Sequence, residues 1–230
     1  MTPPSPDPGL DRESLPVAIE DALIAASRWD LWRTFARGLA HGLANAAQML
    51  ALDPAPPLAR AEALERIGIA LARLSQLNRA GESGPTLVPE LLADVQSLQR
   101  LQAGFRSTEL AITIDGALPP VSMPAADLAH VLMLLVTRAR IAAGESQAHV
   151  RLQARAVPDG VAIEIEDDGP PLSAADRERA FEPGVAGTNA GEGAGALAAA
   201  RMLARRHGGE LSLRAPARFS LRAPAWRRTD

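Results

Sequence analysis

The chain has no cysteine, no lysine and no tyrosine. Without cysteine there are no disulfides, thiolate metal ligands or thiol nucleophiles. Without lysine, with all 24 basic residues arginine, there is no phosphate-loop lysine, Schiff base or lysine general base. Aromatic residues are only 3% of the chain. No window reaches eighteen apolar residues free of charge, so no membrane-spanning helix is expected. The start has neither the basic nor the apolar region of a signal peptide, and the expected location is the cytoplasm. A net charge of −3 argues against a dedicated nucleic-acid binder.

What is present suits a globular protein of 230 residues that are 47% apolar and 22% charged, enough for one large or two small domains. Prolines crowd residues 1–16, which read as a disordered tail. From 29 to 51 a helix is expected. Leu31, Trp32, Phe35, Leu39, Leu43, Ala46, Met49 and Leu50 share one third of its circumference, while Arg33, Thr34, Arg37, His41, Asn45 and Gln48 fall opposite. Asp53-Pro-Ala-Pro-Pro57 stops it. A second helix is expected over 58–79, where Leu64, Ile67, Leu71 and Leu74 follow the spacing of a bundle seam. A hairpin alone buries little. Two copies pairing into a four-helix bundle complete it, so a homodimer is expected.

Gly81-Glu-Ser-Gly-Pro85 reads as a linker between a hairpin over 17–80 and a second domain over 86–230. In the second domain strands are expected near 86–88, 109–115, 149–157, 161–166, 210–214 and 219–222. Helices are expected over 89–103 and 124–143, in a short stretch before Phe181, and from the glycine-rich segment 184–195 to His207. The fold class is α+β, a helical hairpin followed by an α/β sandwich.

His41 is not needed by the apolar stripe, and an exposed imidazole can serve as a nucleophile. Taken alone, an exposed histidine is usually inert. Asp167-Asp168-Gly169-Pro170-Pro171 ends a strand in a tight turn, by itself a common arrangement. Phe181-Glu-Pro183 follows Asp167 by 14 residues, then Gly191-Glu-Gly-Ala-Gly195, a helix, and His207-Gly-Gly209. Glycines opening a helix free backbone N–H groups to hold phosphate oxygens. His130 and His149 have no partner at metal-ligand spacing. Arg201, Arg205 and Arg206 suit a helix C-terminus.

Taken together and in this order, these segments resemble the catalytic core of sensor histidine kinases from about Trp29 to Arg214. His41 and Asn45 match the phosphoacceptor box His-Glu-x-x-Asn, with Gly42 in place of the acid that assists autophosphorylation. The later segments resemble the aspartate, phenylalanine and glycine boxes of the kinase ATPase domain, the Bergerat fold. The resemblance implies that Asp167 accepts a hydrogen bond from the adenine amino group, and that Gly169, Gly193 and Gly195 belong to the nucleotide cradle. Two frames fit the glycines. One puts Ala194 and Ala196 at family glycines, and the other, with one residue deleted, uses Gly191, Gly193 and Gly195. Pro171 replaces a further glycine.

The helix over 124–143 resembles the family helix that carries Asn-x-x-x-Asn and, three residues on, an acid, with the second asparagine on Mg²⁺. Here those positions read Leu134, Arg138 and Ile141. Arginine supplies no oxygen ligand, and no metal site is expected. The phosphoacceptor is thus kept while the metal ligand is lost. Such a chain resembles dimeric histidine phosphotransferases, which pass a phosphoryl group between a histidine and a response-regulator receiver aspartate. The receiver brings its own Mg²⁺, so a relay needs no cofactor. Thr34, Arg37, Asn45 and Gln48 would flank His41 on the receiver-docking face. Two alternatives stay open. One is a sensorless kinase that uses ATP and Mg²⁺, with Glu145 or Asp127 replacing the lost asparagine. The other is a non-catalytic scaffold.

Overall fold

The computed structural model describes residues 16–51, 84–99, 108–143, 148–183, 195–214 and 218–227, with isolated positions between 61 and 72. The first helix, α1, is Val17–Ala51. It begins a dozen residues earlier than the sequence pattern indicates. The Pro16 carbonyl accepts from the N–H groups of Ile19 (2.8 Å) and Glu20 (3.2 Å), and Glu20 sits in the first turn, where the helix dipole favours an acid. The remainder of the proline-rich tail lies outside the described residues. So does most of the expected second helix, although Ala61, Glu62, Leu64, Glu65, Gly68, Leu71 and Ala72 are helical.

The second domain follows in the order α2 (Val88–Gln99), β1 (Thr108–Asp115), α3 (Ala125–Ala143), β2 (Ala148–Val157), β3 (Gly160–Asp167), α4 (Ala174–Arg179), α5 (Ala196–Arg206), β4 (Glu210–Arg214) and β5 (Arg218–Pro224). The strand expected over 86–88 is absent. Thr86 makes only an isolated bridge to Val121, and Val88 already opens α2. The other expected strands and helices are present with small shifts at their ends.

The five strands form one sheet in the order β1-β2-β3-β5-β4. β1 and β2 are parallel, joined through α3, and the remaining pairs are antiparallel. Alternation along the strands sets the two faces. Val150, Leu152 and Ala154 of β2, Val161, Ile163 and Ile165 of β3, and Phe219, Leu221 and Ala223 of β5 are buried under the helices. The opposite face is polar. Arg218 reaches Glu166 (3.1 Å) and Glu164 (3.4 Å), and Arg155 reaches Glu164 at 3.8 Å. One sheet face therefore carries the core and the other meets water, as antiparallel sheets allow.

α3 is the centre of the core. Leu128, Ala129, Val131, Leu132, Met133, Leu135, Val136 and Ala139 are all at most 1% exposed. A helix apolar on nearly every side must be covered all round. It packs on β2 and β3 below and on α2, α5 and α1 at its flanks. Among the described residues no helix is long and apolar enough to cross a membrane.

Candidate functional site

The cavity of interest lies where α3 and α5 meet the first half of α1, and β3 packs on α3 beside it. β3 ends on Asp167, whose Oδ1 accepts from the Gly169 N–H at 3.0 Å. Burial pushes this carboxyl above the ordinary range, while the Gly169 N–H and the Arg138 guanidinium pull it back. Asp168 turns the other way, and both its oxygens accept from the His149 N–H at 3.2 Å. The paired aspartates thus divide their work: Asp168 ties the turn to the start of β2, and Asp167 closes the turn on Gly169. Gly169 is required by space: a Cβ there would lie 2.7 Å from the Ala142 carbonyl carbon and oxygen.

α5 opens on Gly195, which has φ +90° and no side-chain cap. The left-handed backbone suits glycine, and the first N–H groups of the helix carry partial positive charge. Across from it, α3 presents Leu134, Thr137, Arg138 and Ile141. Leu134 is 7% exposed. Thr137 Oγ1 is buried with no hydrogen-bond partner among the described residues. These groups line a cavity of about 110 Å³ closed on its far side by Leu23, Ser27, Asp30, Leu31 and Thr34 of α1. Before α5, Phe181 lies under the Arg201 guanidinium, 4.9 Å from ring centroid to carbon. That contact fastens the Phe-Glu-Pro turn to α5.

α1 is held against the domain by polar anchors as well as apolar ones. Asp127 on α3 takes Arg28 with one carboxylate oxygen and His207 Nε2 with the other, the latter at 2.7 Å. Ser27 Oγ meets His130 Nε2 at 2.9 Å and donates to the Ile24 carbonyl at 2.9 Å. Arg206 reaches Asp21 at 2.6 Å. Ile24 and Phe35 are 3% exposed. His130 is buried, and burial with the Arg28 charge lowers its pKa to about 4, so it is neutral near pH 7. The sequence offers no sign of these pairs because the partners lie far apart along the chain.

Of the residues expected from the sequence, the structure sets Asp167 beside Gly169, while Gly195 lines the cavity. His41 and Asn45 lie on α1, well past the cavity, and their side chains fall outside the described residues. Gly191, Gly193, Ala194 and Glu145 fall outside them as well. Thr34 departs from expectation. The helical pattern puts it on the free docking face, yet it lines the cavity, because the domain covers the first half of α1. Arg37 and Gln48 are exposed. Asp127, the other candidate for a replacement metal ligand, is engaged by Arg28 and His207. His149, unpartnered by sequence spacing, meets Glu109 at 3.3 Å across the parallel strand pair.

Mg-ATP would need an acceptor for the adenine amino group and oxygen ligands for the metal. By the resemblance the first need would fall to Asp167, whose carboxylate has the acceptor chemistry for it. The second is unmet: Leu134, Arg138 and Ile141 offer no oxygen to a cation, and no cluster of three His, Asp or Glu suited to a metal exists among the described residues. The residue implied for the adenine end has suitable chemistry, and the residues implied for the metal end do not.

Residues 124–227 match the family of histidine kinase-, DNA gyrase B- and HSP90-like ATPases. The catalytic domain of histidine kinase ThkA, nucleotide free, superposes with a TM-score of 0.56 at 22% identity, covering 63% of this chain and 96% of that one. Full-length ShkA in complex with AMPPNP gives 0.56 at 23%, covering 74% of this chain and 38% of that one. The mycobacterial sensor histidine kinase MprB gives 0.50 at 19%, covering 63% and 99%. In sequence, the C4-dicarboxylate transport sensor protein DctB of Rhizobium meliloti (strain 1021) is 29% identical over 160 residues, 66% of this chain. The chain spans about a quarter (25%) of DctB's length. The domain behind α1 is an ATPase domain of histidine kinase type, as the order of its motifs indicated.

Proposed function

We propose that the chain is a two-component phosphorelay protein, a histidine phosphotransferase acting with response-regulator receiver domains in the cytoplasm. One observation carries the reading. In this ATPase domain of histidine kinase type, the positions that the family fills with two asparagines and an acid read Leu134, Arg138 and Ile141, and Arg138 stands where the resemblance puts the metal ligand. Phosphoryl transfer from ATP depends on a positioned cation that neutralises developing charge, and an arginine cannot replace its coordination. Transfer from an aspartyl phosphate makes no such demand, because the receiver supplies the metal. His41 Nε2 attacks phosphorus, the P–N bond forms, and the P–O bond to the receiver carboxylate breaks. The reverse reaction charges a second receiver. Asn45, one turn further along α1, lies within reach of the same surface.

The hairpin is proposed to pair with a second copy. Leu64 and Leu71, two seam positions of the second helix, are 49% and 45% exposed in the single chain. Apolar residues repeating along a helix face call for a partner. The test is incubation with a phosphorylated receiver domain. Label is expected to pass to the wild type and not to His41→Ala. Equal labelling of both, or of neither, would sink the relay.

A second reading, an ATP-dependent kinase without its own sensor, is favoured by two features. Asp167 and Gly169 remain in place. Thr34, which lines the cavity beside the α5 N-terminus, precedes His41 by seven residues, so both share one face of α1, about 10 Å apart along the axis. Acid-labile label from γ-labelled ATP with Mg²⁺ on the wild type, absent from His41→Ala, would establish it.

A further inference from the structure

The metal end of the site is not merely stripped of ligands. It is filled by the chain's own first helix. Were Gly195 to carry a Cβ, that atom would lie 3.9 Å from Leu23 Cδ2. A leucine methyl therefore rests on the N-terminus of α5, whose free N–H groups are what an anion would seek. Leu31 enters the cavity that Leu134 and Ile141 of α3 line from the other side. Asp30, on the same wall, faces the cavity with a negative charge that opposes a phosphate. With α1 docked, about 110 Å³ remains, below the roughly 300–1,000 Å³ of sites that enclose a small molecule.

We propose that docking of α1 on the domain and binding of a nucleotide polyphosphate at the α5 N-terminus exclude each other, so that α1 is a built-in competitor of the nucleotide. The inference goes beyond the relay reading and does not depend on His41. Asp167 and Gly169 are not among the residues that line this cavity, so α1 takes the end at the α5 N-terminus and not the end that the resemblance gives to adenine. Arg138 stands between the two, near enough to Asp167 to lower its pKa. Once α1 moves away, the guanidinium groups of Arg138 and Arg140, which both line the cavity, and the N–H groups at the start of α5 are the donors a polyphosphate would meet, with no metal required. Apparent affinity then scales with the undocked fraction.

The anchors allow a direct test. In the double variant Asp21→Arg and Arg28→Glu, each reversed charge faces its former partner's like charge, Arg206 and Asp127. All cavity residues are kept. Titration calorimetry with ATP, in EDTA and again with Mg²⁺, is expected to show at least tenfold tighter binding to this variant than to the wild type. Mg²⁺ should add little. Leu23→Ala opens the α5 N-terminus without touching an anchor and is expected to gain affinity in the same direction by a smaller factor. Circular dichroism establishes that each variant is folded. Equal affinity of the folded double variant and the wild type, or no binding by either, overturns the proposal. Should the double variant not fold, Leu23→Ala decides alone, and an affinity equal to that of the wild type overturns the proposal. The receiver-transfer assay on His41 reads a different site, so the two proposals fail separately.

Discussion

Protonation of His130 should weaken the protein in a defined pH window. The imidazole is 6% exposed and sits under α1 with Ser27 Oγ against Nε2. Burial is the main cause of its low pKa, about 4 against an ordinary 6.5, and the Arg28 charge adds to it while Asp127 opposes it. As pH falls below 6.5 the unfolded chain takes up a proton that the folded chain refuses. Stability is therefore full above that value and is lost down to about pH 4. The loss from this one group is about 1 kcal/mol by pH 5.5 and about 3 kcal/mol by pH 4. Urea denaturation of the wild type and His130→Gln at several pH values isolates the contribution, since other groups titrate in both proteins. The difference in unfolding free energy between the two should change across the window by that amount. Proton NMR of the four histidines gives a direct check. Parallel stability curves, or a His130 titration near the ordinary 6.5, would mean that burial under α1 does not hold His130 neutral.

Asp127→Asn should loosen α1, because Arg28 and His207 lose the charge they share. Hydrogen exchange should quicken at amides 20–35 while the sheet stays protected, at a cost of about 1–3 kcal/mol. Gly169→Ala should lower the melting temperature and cost about 1–3 kcal/mol, since its Cβ meets the Ala142 carbonyl at 2.7 Å and backbone must shift. Leu135→Ala, at a position with no exposure, should cost about 2–5 kcal/mol in chemical denaturation. Arg218→Ala on the open sheet face should cost under about 1 kcal/mol by the same assay, despite its two carboxylate contacts.

The sheet is legible in the sequence because its strands alternate cleanly. Val150, Leu152 and Ala154 against Arg151, Gln153 and Arg155 is a period that only a half-buried strand satisfies. α3 is legible from Pro124 and the long apolar run behind it. The first dozen residues of α1 are not. Val17–Arg28 follows a proline-rich segment, and its apolar positions are spaced for a partner that sequence order does not name. That partner is the domain itself, which also explains why Thr34 is covered. Asp167, Gly169 and Gly195 stand out as candidates because local motifs mark them. The roles of Asp127 and His130 cannot, because they depend on α1, about a hundred residues away. Thr86 suggests a strand because it opens a β-rich run next to a proline, and only Val121 gives it a bridge.

α1 is one unbroken helix of 35 residues, about 52 Å long. Its first half is clamped to the ATPase-like domain, and its second half carries His41. From Ile24 to His41 is about 25 Å of continuous hydrogen-bonded rod, without a proline or loop to absorb a twist. A turn of the clamped half about the helix axis is therefore delivered to the histidine at nearly full angle, like torque through a shaft. If a nucleotide displaces Leu23 and His41 meets a receiver, as proposed, the first event would also change the direction in which the second occurs.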